Sequence, residues 1–181
     1  MLIIKRISKR LPSRANIISV YSIIAFMIYS WTFLTFFYKL SSWVYHLTTK
    51  EIANIFTYAM VVDWFESILI LGGTLFLCLL LPTTFLKDDF AIRGTWLVIS
   101  YIGTLMVYLI PSLDLKRWVE SPGLWFIITI FLTTLFTIVL SHISVMRRFA
   151  LFISDRMTVL LLIFMPLSVI SCFIIVIRFL F

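Results

Sequence analysis

The sequence predicts an all-α fold: a polytopic integral membrane bundle of five transmembrane helices, preceded by a short N-terminal amphipathic segment. Three observations carry that reading. Of the 181 residues, 62% are hydrophobic and 13% charged, whereas soluble domains hold roughly 45–50% apolar and 25% charged residues. Apolar runs recur along the whole chain, each close to the roughly 20 residues that a spanning helix needs. The polar pieces between them are too short to hide a soluble catalytic domain. We therefore read residues 1–15 as a cytoplasmic basic amphipathic segment and residues 16–181 as a single transmembrane domain.

In residues 1–15, Ile3, Ile4, Ile7 and Leu11 share a helical face, and Lys5, Arg6, Lys9, Arg10 and Arg14 fill the other side. Such a segment suits the surface of an anionic membrane. Pro12 and Ser13 end it and start the next helix. The apolar run that follows is too long for a secretory signal, and no small-residue cleavage site closes it.

The first span covers residues 16–39, with Ser19, Ser22 and Ser30 as small polar positions. Residues 40–65 form the longest connection. Within it, Thr48 and Glu51 have capping-box spacing, and Ile52, Ile55, Phe56, Ala59, Met60 and Trp64 mark an apolar face. We expect an interfacial helix from about Thr49, between spans one and two, running up to or into the second span. That second span, residues 66–86, carries Gly72-Gly73, where a neighbouring backbone can approach, and Pro82 near its end. The third, residues 95–112, presents Ser100, Gly103 and Thr104 and closes at Pro111. The fifth, residues 157–180, contains Pro166 as a kink candidate, followed by Ser168, Ser171 and Cys172. Cys78 and Cys172 both lie in apolar runs and read as small buried hydrophobes.

The fourth span, residues 122–145, has the most regular pattern. Thr129, Thr133, Thr137 and Ser141 recur every fourth residue on one stripe. Small hydroxylated residues let membrane helices approach closely. We expect this helix to be the centre of the bundle, with its stripe against the Gly72-Gly73 or Ser100-Gly103-Thr104 surfaces.

Orientation follows from the basic residues. With the N-terminus inside, ten of the fifteen fall on the inner side, and five (Lys39, Lys50, Lys116, Arg117 and Arg178) fall outside. This bias places the N-terminus in and the C-terminus out. It fits a bacterial cytoplasmic membrane, with the mitochondrial inner membrane as the weaker alternative. Tyr38, Trp43, Tyr45, Tyr58, Trp64, Trp118 and Trp125 crowd the outer boundary as an aromatic belt. The net charge of +7 reports orientation and contact with anionic lipid, not nucleic-acid binding.

Two constellations could carry chemistry. Asp63 and Glu66 stand one helical turn apart near the outer boundary. Acids at membrane depth suggest a cation or substrate vestibule, although at headgroup level the pair would simply meet Lys39, Lys116 or Arg117. On the inner side, Asp88, Asp89 and Arg93 face Arg147, Arg148, Asp155 and Arg156 from the other inner loop. This set reads as a salt-bridge cluster, or as a seat for a lipid headgroup. His46 and Glu51 resemble the His-x4-acid spacing of some membrane acyltransferases, in isolation from any other element of that pattern. His46 and His142 lie at opposite boundaries, so no shared haem or metal site is expected, and no cofactor is implied. No phosphate-binding glycine loop, nucleophile elbow or paired-cysteine motif is present.

The expectation is a non-catalytic membrane protein, acting as a subunit, scaffold or assembly partner of a membrane complex. Its partners would be the bilayer, anionic lipids at the basic segment, and other membrane proteins. A small transporter or channel component with an outer acidic vestibule is the rival reading. A lipid-modifying membrane enzyme using the inner Asp/Arg cluster is the third.

Overall fold

A computed structural model describes residues 12–80, 89–109 and 122–180. These residues form five α-helices, with no strand among them: α1 (Arg14–Trp43), α2 (Thr49–Leu80), α3 (Phe90–Leu109), α4 (Pro122–His142) and α5 (Ser144–Leu180). The expectations for residues 1–11, Pro82, Lys87, Asp88, Pro111, Lys116 and Arg117 lie outside the described residues.

Local chemistry sets the helix ends. Ser13 caps α1, its hydroxyl accepting from the Asn16 amide at 3.3 Å. At α2 the capping box forms. The Thr48 amide and hydroxyl donate to Glu51 Oε2 at 2.7 and 2.8 Å, and the Glu51 amide donates back to Thr48 Oγ1 at 3.4 Å. In this exposed polar turn, donation from the Thr48 amide, helped by its hydroxyl, holds the Glu51 carboxyl below its ordinary range.

Two helices run further than the apolar pattern suggests. The helix expected at the interface and the second span are one continuous element, α2, of 32 residues. Between Thr49 and Ile70 no glycine or proline interrupts it. At ~1.5 Å per residue it is roughly 48 Å long, well beyond a hydrocarbon core of about 30 Å. Likewise, residues 146–156 are not a loop. They belong to α5, a helix of 37 residues that starts at Ser144 and continues through Pro166. Ile143 alone separates α4 from α5.

By length and hydropathy, α1, α2, α3 and α5 can each cross a membrane. These helices fit an integral membrane protein. So does the broad exposure of large apolar side chains, among them Leu69, Phe131, Leu162 and Phe173, which a soluble monomer would not present.

Packing places α1 at the centre, which corrects the expectation for α4. Helix α1 packs on α2, α3 and α5, whereas α4 packs on α3 and α5. The largest core cluster joins Val20, Ile23, Ile24 and Ile28 of α1 to Cys78 of α2 and to Phe90, Val98 and Ile102 of α3. A second joins Ala25 and Tyr29 to Met60, with Leu161, Phe164 and Leu167 of α5 alongside. There Tyr29 stacks on Phe164 with ring centroids 4.7 Å apart. The third, Ile92, Trp96 and Ala150, ties the starts of α3 and α5 together, with Leu140 of α4 against it.

The closest backbone approach is at Gly94. A Cβ there would lie 2.9 Å from Val20 Cγ2, whereas one at Gly72, Gly73 or Gly103 would meet nothing within 4 Å. The glycine that packing requires is therefore Gly94. Val20 is branched at Cβ and fully buried, so it cannot swing aside. We predict that Gly94→Ala destabilises the protein by about 1–3 kcal/mol through overpacking. Gly72→Ala and Gly73→Ala should leave stability unchanged or slightly raised. Thermal unfolding in detergent checks all three.

Candidate functional site

The cross-helix polar contacts run along α1, which parallels α5 and opposes α2. Near its start, the Ser19 and Ser154 hydroxyls pair. Ser154 Oγ also donates to the Ser19 carbonyl at 2.9 Å, and Ser22 Oγ, which donates to the Ser19 carbonyl of its own helix at 2.7 Å, lies 3.2 Å from the Ser154 carbonyl. These reciprocal bonds need close backbones, and serine is small enough to permit them. Between Ser19 and Ser22 in the chain, the Tyr21 hydroxyl meets Ser67 Oγ of α2 at 3.3 Å. Mid-helix, the Tyr29 hydroxyl pairs with Ser168 of α5. Towards the other end, Thr32 Oγ1 donates to Asp63 Oδ1 at 2.8 Å. Sequence reasoning missed this seam. Its only signal was that Ser19 and Ser22, and Ser154 and Thr158, each stand one helical turn apart.

Asp63 and Glu66 differ in their surroundings. Asp63 is 4% exposed against α1, while Glu66 is exposed. Three residues of helix turn about 300° at 3.6 residues per turn, so the two side chains point some 60° apart. That angle is enough to bury one and expose the other.

At the opposite end, three of the inner residues converge. Arg147 Nη2 donates to Asp89 Oδ1 at 3.0 Å, and Arg93 Nη2 lies 3.9 Å from Asp89 Oδ2. This pairing bridges the starts of α3 and α5. Arg148 stays exposed. Arg156 instead sits over the Phe152 ring, 5.4 Å from its centroid. Asp155 is exposed beside a cavity of about 690 Å³, together with Asn16, Ser19 and Thr158. Continuous helix explains the dispersal, because Arg148 and Arg156 stand eight residues, roughly 12 Å, apart along a rod rather than on a folded loop. Among the described residues, no three His, Cys, Asp or Glu gather as metal ligands.

The stripe on α4 is buried: Thr129, Thr133, Thr137 and Ser141 are each at most 7% exposed. They are the buried side chains among those described on that helix. Their hydroxyls donate within the helix, Thr129 to Trp125, Thr133 to Thr129 and Thr137 to Thr133, at 2.7–2.8 Å. Ser141 donates to the Ile138 carbonyl at 2.8 Å. This back-bonding needs no neighbour. Thr133 borders two cavities. One of about 670 Å³ opens between α3 and α4 at Ser100, Gly103 and Thr104. The other, of about 410 Å³, lies between α2, α3 and α4 at Gly73 and Thr74.

No protein-family model, curated protein or solved structure matches the chain significantly.

The Asp89–Arg147 pair is partly exposed, with 29% and 45% of the two side chains accessible. A double-mutant cycle of Asp89→Ala and Arg147→Ala should therefore give a coupling below about 1 kcal/mol. The coupling should shrink further when salt is raised.

Proposed function

We propose that this chain is a non-catalytic, multi-pass protein of a bacterial-type inner membrane. In this reading all five helices cross the membrane, α4 as the fourth span, the N-terminus is inside and the C-terminus outside, and residues 1–15 rest on anionic lipid. The chain serves as a subunit, scaffold or assembly partner within a membrane complex.

The carrying observation is the open groove between α3 and α4. Serine, glycine and threonine line its α3 wall at Ser100, Gly103 and Thr104, and a side chain added at Gly103 would meet nothing within 4 Å. Small-residue faces are where membrane helices pack. Among the described residues that face is only half-buried, while hydroxyl and ring contacts bind α1 to α2 and α5. A transmembrane helix of a partner protein fits the groove, with Thr133 and Phe136 as the opposite wall.

Charge supports the orientation. Arg14, Arg93, Arg147, Arg148 and Arg156 collect towards the end where α1, α3 and α5 begin, and Lys39, Lys50 and Arg178 lie towards the other. At that second end Arg178 bonds to Asn54, tying the finish of α5 to the start of α2.

Purification from native membranes in mild detergent should bring down a stoichiometric membrane partner, identified by mass. A clean monomer overturns the reading. Gly103→Leu should lower partner recovery roughly tenfold, about 1.4 kcal/mol, while the chain alone melts as the wild type does.

A further inference from the structure

Asp63 is a buried acid in a place where an acid needs a reason. Its residue is 4% exposed. Oδ1 accepts from Thr32 at 2.8 Å. Oδ2 is buried and has no hydrogen-bond partner among the described residues. Nor does any Lys or Arg among them lie within ion-pair distance of it. A carboxylate removed from water without a cation and with one oxygen unsatisfied is among the least favourable groups a protein can hold. The uncharged acid removes the penalty of burying a charge, and it replaces a bare anionic oxygen with a hydroxyl.

The surroundings point the same way from every element packed on this position. On α2, the titratable neighbour is Glu66, one turn on and exposed, whose negative charge opposes a second one. On α1, Thr32 donates a single hydrogen bond. Tyr29 stands within electrostatic reach, but its hydroxyl is engaged by Ser168 of α5. Helix α5 thus brings a serine towards this region, and its terminal Arg178 is engaged with Asn54, nine residues before Asp63 on α2. No counter-charge from α1, α2 or α5 is placed to hold the anion.

We infer that Asp63 is a proton-binding site between α1 and α2, its ligand a hydrogen ion, occupied when the two helices are closed and released when they part. Opening at Thr32 would hydrate the acid beside Glu66, which is already exposed. Closure recaptures the proton and restores the dry contact. The α1–α2 seam is then a two-position element biased by proton concentration. The Thr32 hydroxyl, 2.8 Å from Asp63 Oδ1, marks the closed position.

Infrared spectroscopy of the full chain in lipid nanodiscs, with ¹³C-labelled aspartate carboxyls, tests this directly. At neutral pH the wild type should show the carbonyl stretch of a protonated aspartic acid. Asp63→Asn should abolish it, and Thr32→Val should shift its frequency by removing one hydrogen bond. A wild type with no such band at neutral pH overturns the inference, whether or not the variants fold. So does a band that survives Asp63→Asn. A second measurement uses linkage. A proton held in the folded state and lost on unfolding makes stability fall as pH rises, by up to about tenfold in the unfolding constant per pH unit. Across that range Asp63→Asn should flatten the slope, and an unchanged slope overturns the coupling.

Discussion

In a hydrocarbon solvent a hydroxyl or carboxyl that lacks an internal partner finds no water to replace it. The architecture of this chain follows from where its polar side chains find acceptors. On α1, Ser22, Thr35 and Ser41 donate to their own helix, but four others reach across to neighbours: Ser19 to Ser154, Tyr21 to Ser67, Tyr29 to Ser168, and Thr32 to Asp63. Those of α4 turn back on their own helix. A helix whose polar groups require neighbours is drawn to the centre. One whose polar groups are self-sufficient sits on the flank, however regular its pattern.

The two ends of the bundle differ in how they are fastened. At one end, ion pairing between α3 and α5 through Asp89 and Arg147 lies over a serine contact between α1 and α5. Towards the other, Phe33, Phe36, Phe56 and Trp43 form a chain of ring contacts, with Phe36 and Phe56 centroids 5.2 Å apart. Such rings suit a boundary where one side is apolar and the other wet. At the first of these ends Gly94 fixes the separation of α1 and α3, since Val20 seats directly over it.

The all-helical, apolar character was legible in the sequence because composition and run length report it without reference to packing. The capping box at Thr48 and Glu51 was legible for a similar reason: its partners are three residues apart, and the chemistry is local. The limits of α2 and α5 were not. Apolar runs do not mark where a helix stops, and helices continue past them here through residues 49–65 and 144–156. The central helix was not legible either. In a membrane the lipid-facing and protein-facing sides are both apolar, so periodicity does not say which helix the others surround. Gly72-Gly73 looked like a contact and is open, while Gly94, a lone glycine beside charged residues, proved to be the contact. For Asp63 and Glu66, spacing put them on one side of a helix. It took the position of α1 to show that one was inside and the other out.

Ser19 and Ser154 are 135 residues apart in the chain, and that separation bears on biogenesis. At roughly 5–20 residues per second, synthesis needs on the order of 7–27 s to deliver the second serine after the first. During that interval α1 is already made, with the hydroxyls of Ser19 and Tyr29 lacking the α5 groups they will bond. The nascent first helix therefore pairs first with α2, through Tyr21 and Thr32. Its α5 partners arrive last.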